Sequence, residues 1–191
     1  MIAQHSSKND AWMTPVWLIE AARDVLGTID LDPASTAEAN LRVKATYLYG
    51  APQNNDLVER DHHGIAQIWG SPEYPQNVWC NPPGGKTGPA PKDPSRTALF
   101  WDHLLEERTR GHINHALFLL FNIEGLRTCR HATSFPFCIF DKRIAFDNPD
   151  GSSNRSPTHA NALIYVPGHA DCSDVFAETF QSHGSICGPW K

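Results

Sequence analysis

The stretch from Val78 to Gly85 most constrains what this chain can form, because a short apolar run there ends in two prolines and two glycines. Two successive prolines fix two φ angles and remove two backbone donors. They also keep the residues before them out of the helical region. We therefore predict a strand that stops at Cys80 and is followed by a rigid corner, Asn81-Pro82-Pro83.

This corner presents the Asn81 side-chain amide and the Pro82 carbonyl, which no neighbouring N–H can easily reach. An amino group has two hydrogens to donate, so a stiff pair of oxygen acceptors suits it. Asn81 and Pro82 are therefore candidates for binding an amine. The alternative is a purely structural turn, since Asn, Pro and Gly are common turn formers.

Length and composition predict a single folded domain over residues 1–191. The chain is 40% apolar and contains six tryptophans, enough for a buried core. It has no apolar run of membrane-spanning length, and its first residues lack a signal-peptide pattern. We expect a cytoplasmic protein of a bacterium or phage-infected host, with no membrane partner.

The cysteines and histidines do not form metal-binding or disulfide patterns. Five cysteines are widely spaced without a C-x-x-C pair, and ten histidines are scattered. We therefore predict free thiols and no metal site. The cysteines are Cys80, Cys129, Cys138, Cys172 and Cys187.

The net charge of −5 does not by itself favour a polyanionic partner. Its distribution is uneven, because residues 84–143 carry nine Lys or Arg against six Asp or Glu. This basic segment begins where the corner ends, so phosphate contacts are expected beside the corner. A modest local excess of this kind also occurs on an ordinary solvated face.

A helix with clear ends is expected just before the first strand. Thr14 suits the N-cap, Pro15 the first helical position, and Gly27 the end of the helix. The free N–H groups at its start could hold a carboxylate. Residues 28–35 then predict a short strand with Ile29 and Leu31 on one face and Asp32 at its carboxyl end, where ligands bind in open α/β sheets. Alternatively, Asp32 caps a helix that starts near Thr36.

The later segments alternate between helical and strand patterns. Helices are expected over 36–47, 96–110 and 174–181, and buried strands over 115–121, 137–140 and 162–166. This alternation predicts an α/β, Rossmann-like fold with a mostly parallel sheet and helices on both faces. The Gly- and Pro-rich residues 84–97 predict a mobile loop.

Four stretches together resemble the phage and prophage Dam-like DNA N6-adenine methyltransferases, which use S-adenosylmethionine. They extend over roughly residues 10–166, and Asn-Pro-Pro is the most specific of them. The stretches are Asp10-x-Trp12-x-Thr14-Pro15-x-Trp17-Leu18, Ile29-Asp30-Leu31-Asp32-Pro33-Ala34-Ser35, Val78-Trp79-Cys80-Asn81-Pro82-Pro83, and Arg143-Ile144-Ala145-Phe146 with Ser156-Pro157.

The resemblance implies a methyltransferase that acts on DNA. Asn81, Pro82 and Pro83 would hold the target amine. The positions implied to bind S-adenosylmethionine are Trp12, Thr14, Pro15, Asp30, Asp32 and Pro33. The sulfonium methyl is already electrophilic, so the protein mainly aligns donor and acceptor. A base in a duplex must first leave the stack.

The chain departs from the family at Gly84, where members usually have an aromatic residue that stacks on the flipped base. Trp79, Phe100, Trp101 or Phe146 would then supply the stacking ring. Gly84 and Gly85 also leave room for a bulkier base or a flanking group. Lys86 and Arg143 are further candidates for substrate contact, with a structural ion pair as the alternative for Arg143.

The substrate therefore stays open at this point. Adenine N6 is the first expectation. The alternatives are another base, a nucleotide or a small molecule, and a non-catalytic nucleic-acid-binding relative. The chain has no segment long enough for a full target-recognition domain, so sequence specificity would come from its loops or from a second copy in a homodimer.

Overall fold

The computed structural model describes residues 13–50, 64–90, 92–148 and 158–189. In this part of the chain seven strands form one sheet, accompanied by five α-helices. The strands are β1 (Leu31–Ser35), β2 (Tyr47–Gly50), β3 (Gln76–Cys80), β4 (Ile113–Leu120), β5 (Phe137–Phe140), β6 (Ala162–Pro167) and β7 (Gly184–Cys187). The helices are α1 (Val16–Leu26), α2 (Ala37–Val43), α3 (Arg96–Thr109), α4 (Gly125–Thr128) and α5 (Ser173–Phe180).

The sheet is mixed, with the strand order β2-β1-β3-β4-β6-β5-β7. Strands β2, β1, β3 and β4 are parallel, whereas the β4–β6, β6–β5 and β5–β7 pairs are antiparallel. The predicted α/β architecture is confirmed, but a mostly parallel sheet is correct only for the first half. The reason is that β6 pairs directly with β5, the strand before it in the chain, and such neighbours can pair antiparallel without a crossover.

Two apolar layers cover the sheet. One layer includes buried residues of α1 and α5, and we call this side the α1 face. The other includes Phe100, Trp101 and Leu104 of α3, and we call it the α3 face. Side chains along β4 alternate between the layers, with Leu117 and Leu119 on the α1 face. This alternation explains the continuous apolar pattern of β4, since both of its faces are buried.

Several predicted elements are present close to their expected positions. Helices α1, α3 and α5 and strands β3, β4, β5 and β6 lie within a few residues of the predicted bounds. Gly27 ends α1 with a φ of 73°, a conformation that glycine adopts without strain. None of the described helices has the length and apolarity to cross a membrane.

Other expectations need correction. The helix predicted over 36–47 ends at Val43, because Lys44 takes a left-handed conformation with a φ of 50°. The residues after it form β2, which pairs with β1. Strand β7 was not predicted either. Ile29 packs in the α1-face layer and Leu31 in the α3-face layer, so the predicted common face is wrong. Ile29 precedes the regular part of β1, where alternation does not apply.

Candidate functional site

The order in which strands are added to the sheet reverses between β1 and β3. Strand β2, which follows β1, lies on one side of β1, and β3 and β4 lie on the other side. The register between β1 and β3 consists of the single pair Leu31 and Val78 among the described residues. In open α/β sheets, ligands bind in the crevice at such a switch point. We refer to this side of the molecule as the carboxyl end of the sheet.

Asn81 lies at this crevice, directly after β3, and is partly exposed. Its Nδ2 donates a hydrogen bond of 3.1 Å to Oγ1 of Thr14, which is 67 residues away in the chain. Within the described residues no hydrogen bond reaches Asn81 Oδ1 or the Pro82 carbonyl. Two candidate residues from different motifs are therefore in contact, and the amide oxygen remains available as an acceptor.

The start of α1 differs from the prediction in a way that explains this contact. Pro15, with ψ of 145°, is the N-cap, and no side chain caps the helix. Thr14 therefore lies one residue before the cap, and its buried hydroxyl accepts from Asn81 instead. The first turn contains no acidic residue. The Leu18 amide donates to the Pro15 carbonyl at 3.1 Å, so the N–H groups of Val16 and Trp17 are the ones without a partner within the helix.

The corner continues into a loop that closes on itself. The Pro83 carbonyl accepts from Thr97 Oγ1 at 3.3 Å. The Gly85 carbonyl accepts from the Arg96 amide at 3.1 Å, and Lys86 and Ser95 form an isolated bridge. The base of the loop is thus joined to the start of α3. The mobility expected for residues 84–97 stays a prediction.

Asp32 lies in β1 and is only 3% exposed. Burial raises its pKa from 3.8 to about 7, although hydrogen bonds from the Ala34 amide and the Ser35 side chain act to lower it. The alternative role as a helix cap is wrong, because the Thr36 hydroxyl accepts from Ala39 N and caps α2. A buried carboxyl group without a cationic partner is costly to ionise, and such groups are frequent at functional sites.

One position that the resemblance assigns to the cofactor is placed elsewhere. Asp30 lies before β1, at the opposite end of the sheet from Asn81. Its carboxylate accepts from Thr28 Oγ1 at 2.9 Å and from the Asn77 amide at 3.0 Å. The backbone of Pro33 is in close contact with Gly64, where an added Cβ would lie 1.9 Å from the Pro33 carbonyl oxygen. The structure brings Asp32, Thr14 and Asn81 to the carboxyl end of the sheet, but not Asp30.

The connection after β5 also reaches this end. Met13 and Asp147 exchange two backbone hydrogen bonds of 2.8 and 2.9 Å. Arg42 Nη1 contacts the Asp147 carboxylate at 2.5 Å. Residues 143–147 therefore lie beside the entry to α1. Arg143 is exposed there and makes an interaction within the protein.

Sequence reasoning missed an aromatic cluster at the end of β4. The ring of Phe121 lies 5.4 Å from that of Phe146 and 5.2 Å from that of His159. The buried Asn161 side chain fixes this region, since its Nδ2 donates to the Phe121 carbonyl at 2.6 Å and its Oδ1 accepts from the Ile144 amide at 2.9 Å. Phe121 could have been found by asking which residue ends the apolar run of a central strand.

The four aromatic residues proposed for base stacking are all in the core. Trp79 and Trp101 are 0% exposed, Phe100 is 1% and Phe146 is 4% exposed. Trp101 Nε1 donates to the Arg130 carbonyl on the α3 face. Among the described residues, Trp79 Nε1 is the buried side-chain polar atom without a hydrogen-bond partner. These rings have packed faces, in contrast to the half-buried Phe121.

The basic residues of 84–143 are divided between the two ends of the sheet. Helix α3 runs from the corner toward the start of β4, so Arg108 and Arg110 lie far from Asn81. Lys86 and Arg143 lie at the carboxyl end. Gly84 and Gly85 are exposed, and a Cβ added at either would meet nothing within 4 Å. Trp12 and the pair Ser156-Pro157 lie outside the described residues.

An acceptor-bearing corner, a buried acid and the start of α1 all lie at the carboxyl end of the sheet. Together they can bind a ligand that has hydrogen-bond donors and a carboxylate, beside an amine. No group of three or more possible metal ligands is close together in the described ranges. Comparison with protein-family models, curated proteins and solved structures found no match to this chain.

Proposed function

We propose that this protein is an S-adenosylmethionine-dependent methyltransferase on a Rossmann-like fold, and that it methylates an exocyclic amino group of DNA. The observation that carries the proposal is the contact between Asn81 and Thr14 at the switch point between β1 and β3. Two stretches that resemble methyltransferase motifs thereby meet where open α/β sheets bind their ligands. The four parallel strands β2, β1, β3 and β4 support the Rossmann-like assignment.

The residues at the crevice fit the proposed cofactor. Asp32 is a buried carboxyl group with hydrogen bonds from the Ala34 amide and the Ser35 side chain. A ligand with hydroxyl or ammonium donors would satisfy its remaining acceptor sites. The start of α1 has no side-chain cap, and its N–H groups can bind a carboxylate. S-adenosylmethionine carries all of these groups, and when bound it supplies an electrophilic methyl group.

The role of the corner is to hold the amine. The Asn81 Oδ1 and the Pro82 carbonyl accept its two hydrogens, which draws the nitrogen toward tetrahedral geometry and makes its lone pair available. Thr14 fixes the amide of Asn81 by taking its Nδ2 hydrogen bond. The two prolines keep the backbone in position, so little entropy is lost when the amine binds.

DNA is the proposed substrate, with adenine N6 as the target. A second candidate is an amino group on another base or nucleotide. It is favoured by Gly84, which offers open space where the resembling enzymes have an aromatic ring. A larger or differently shaped acceptor would fit beside such a glycine.

Methyl transfer to unmethylated DNA tests the proposal. The protein is incubated with S-adenosylmethionine labelled in its methyl group, and label in the DNA is counted. We expect Asn81→Ala to lose roughly 100- to 1000-fold in transfer rate, the range for removing one preorganised polar contact. Its affinity for S-adenosylmethionine, measured by calorimetry, should stay within a few-fold, because Asn81 holds the acceptor.

A matched control is Asn114→Ala. Asn114 Nδ2 donates to Asn77 Oδ1 at 2.6 Å, at the opposite end of the sheet. This variant removes the same type of side chain away from the crevice and should retain transfer. Undiminished transfer by Asn81→Ala, or an equal loss in both variants, would refute the role of Asn81.

A further inference from the structure

We propose that Phe121, together with His159, forms the surface on which the target base stacks. The inference rests on the proposed function, since it concerns the base whose amino group Asn81 holds. It replaces the aromatic residue that is missing at Gly84. The ring of Phe121, at the end of the neighbouring strand β4, would stack on the base in place of an aromatic ring at position 84.

The register of β3 and β4 places Phe121 beside the corner. Cys80 pairs with Phe118, so the next residue, Asn81, lies beside Leu119. Phe121 is two residues further along the neighbouring chain. With a rise of about 3.3 Å per residue and strands about 4.8 Å apart, the Cα atoms of Asn81 and Phe121 are about 8 Å apart. A base bound to Asn81 by its amino group would reach the Phe121 ring.

Phe121 also lies on the correct side of the sheet. It packs against the same apolar layer as Leu117, Leu119 and Trp79, on the α1 face. Side chains two residues apart on a strand share a face, so Asn81 is on the side of Trp79. The contact of Asn81 with Thr14, just before α1, agrees with this placement.

The cluster is both fixed and accessible. Phe146 supports the Phe121 ring from the core, and Asn161 holds the Phe121 backbone. Phe121 itself is half-buried and His159 is exposed. A partly exposed ring that packs against the core is suited to stacking with a nucleic acid base.

A second aromatic pair at the carboxyl end is the main rival. Trp17 is 41% exposed and stacks on His183 at 4.8 Å. Trp17 also contacts Phe140 at the end of β5. Strand β5 is three positions from β3 in the sheet, or about 14 Å at about 4.8 Å per strand. That pair therefore packs on the β5 side of the sheet, whereas Phe121 follows β4, the strand that pairs with β3.

A fluorescent base tests the assignment directly. The probe is a single-stranded DNA oligonucleotide with one 8-vinyladenine, a fluorescent base that keeps the 6-amino group and whose emission falls when it stacks on a ring. We expect the wild-type protein to quench this emission and Phe121→Leu to bind about 5- to 150-fold more weakly. Leucine keeps the apolar contact with Phe146 but offers no flat ring. His159→Ala should also weaken binding.

The control variants separate this surface from others. Tyr74→Ala removes a ring that is 78% exposed, in the turn before β3 at the opposite end of the sheet. It should leave quenching unchanged, and so should Trp17→Leu. Because a side chain at Gly84 would meet nothing within 4 Å, Gly84→Tyr has room for a ring. In the Phe121→Leu background it should restore at least part of the quenching.

The outcomes distinguish this inference from the proposed function. If the wild-type protein transfers methyl groups but Phe121→Leu quenches as the wild type does, the stacking surface is refuted and the methyltransferase proposal stands. Loss of quenching in Trp17→Leu, with quenching retained in Phe121→Leu, also refutes the stacking surface at Phe121. If Phe121→Leu loses quenching while the wild-type protein transfers no methyl group, the base-binding surface is supported and the methyltransferase proposal fails.

Discussion

Asp32 is a buried carboxyl group of the candidate site. It is buried in β1, and burial raises its pKa to about 7. Near neutral pH the carboxyl group is therefore divided between its neutral and charged forms. A ligand that donates hydrogen bonds to the carboxylate would favour the charged form, so ligand binding and proton release are coupled at this residue.

The raised pKa of Asp32 predicts a specific dependence of stability on pH. The folded protein holds the Asp32 proton up to about pH 7, whereas the unfolded chain releases it near 3.8. Stability contributed by this proton is therefore fully present below about pH 4 and is lost as the pH rises to about 7. The loss is on the order of 4 kcal/mol, at about 1.4 kcal/mol per unit of pKa shift.

The variant Asp32→Asn, which cannot ionise, tests this dependence. Its free energy of unfolding, measured in urea from pH 4 to 8, should lack the decline attributed to Asp32. The quantity to compare is the difference between the two proteins, because other groups titrate in both. Parallel curves for the wild type and the variant would show that Asp32 is not held protonated by burial.

At the level of elements, α3 is anchored at its end by a buried acid. Glu107 is 0% exposed and accepts hydrogen bonds from the Trp69 amide at 2.7 Å, His112 Nδ1 at 2.9 Å and Arg110 Nη1 at 2.9 Å. Burial acts to raise its pKa, but the hydrogen bonds from His112 and Trp69 outweigh it and hold the pKa below its usual value. The anchor lies at the opposite end of the sheet from Asn81.

Replacing this anchor should weaken the fold without altering the crevice. We expect Glu107→Gln to lower the free energy of unfolding by about 1–3 kcal/mol, because a buried charge-assisted contact is lost. Glu106→Gln changes an exposed neighbour and should cost less than about 0.5 kcal/mol. Chemical unfolding at pH 7 measures both.

The pH dependence and the transfer rate add two further checks on Glu107. Its lowered pKa means that its contribution is present above pH 4.5 and is lost as the pH falls through the folded value. At a temperature where Glu107→Gln and Glu106→Gln are both folded, each variant should transfer methyl groups at the wild-type rate. Equal stability of Glu107→Gln and Glu106→Gln would contradict an anchoring role.

The elements that the sequence predicts well are those with strong local signals. Gly27 ends α1 and the two prolines end β3, and both boundaries are close to the expected positions. Strand β2 overlaps the predicted helix only at Tyr47 and was missed because its pairing with β1 is a tertiary effect. The antiparallel direction of β6 depends on how the chain enters the sheet, which local patterns do not encode.

In the candidate site, too, the sequence identifies residues with distinctive chemistry but not those whose role depends on the tertiary structure. Thr14, Asp32 and Asn81 are chemically distinctive, and the structure brings Thr14 and Asn81 into contact. Asp30 looked equivalent to Asp32 in the sequence, but it bonds to Thr28 and Asn77 at the other end of the sheet. Phe121 was missed, because an aromatic residue at the end of an apolar run resembles ordinary core.

At the level of the whole molecule, both halves of the chain build the crevice. Strands β1 and β3 supply Asp32 and Asn81, and the connection after β5 closes against Met13. A ligand bound there would contact only the folded state and would therefore stabilise the molecule as a unit. At a concentration one hundred times its Kd, such a ligand adds about 2.7 kcal/mol.

We therefore expect S-adenosylmethionine at that concentration to raise the Tm by about 5–10 °C for a chain of this size. Asp32→Ala should remove most of the shift. Asp30→Asn is the matched control and should keep the full shift, because Asp30 lies away from the crevice. Differential scanning calorimetry provides the measurement. A Tm shift that is lost in Asp30→Asn and retained in Asp32→Ala would mean that the cofactor binds at the end of the sheet opposite Asn81. That result would contradict the proposed site.

The most direct test of the central proposal is the chemical identity of the product. Unmethylated DNA is incubated with the protein and S-adenosylmethionine, digested to nucleosides and analysed by mass spectrometry. The wild-type protein should yield N6-methyldeoxyadenosine, and Asn81→Ala should yield none above background. A methylated nucleoside other than adenine would support the second candidate substrate. DNA left unmethylated by wild-type protein that has bound S-adenosylmethionine would contradict the proposal.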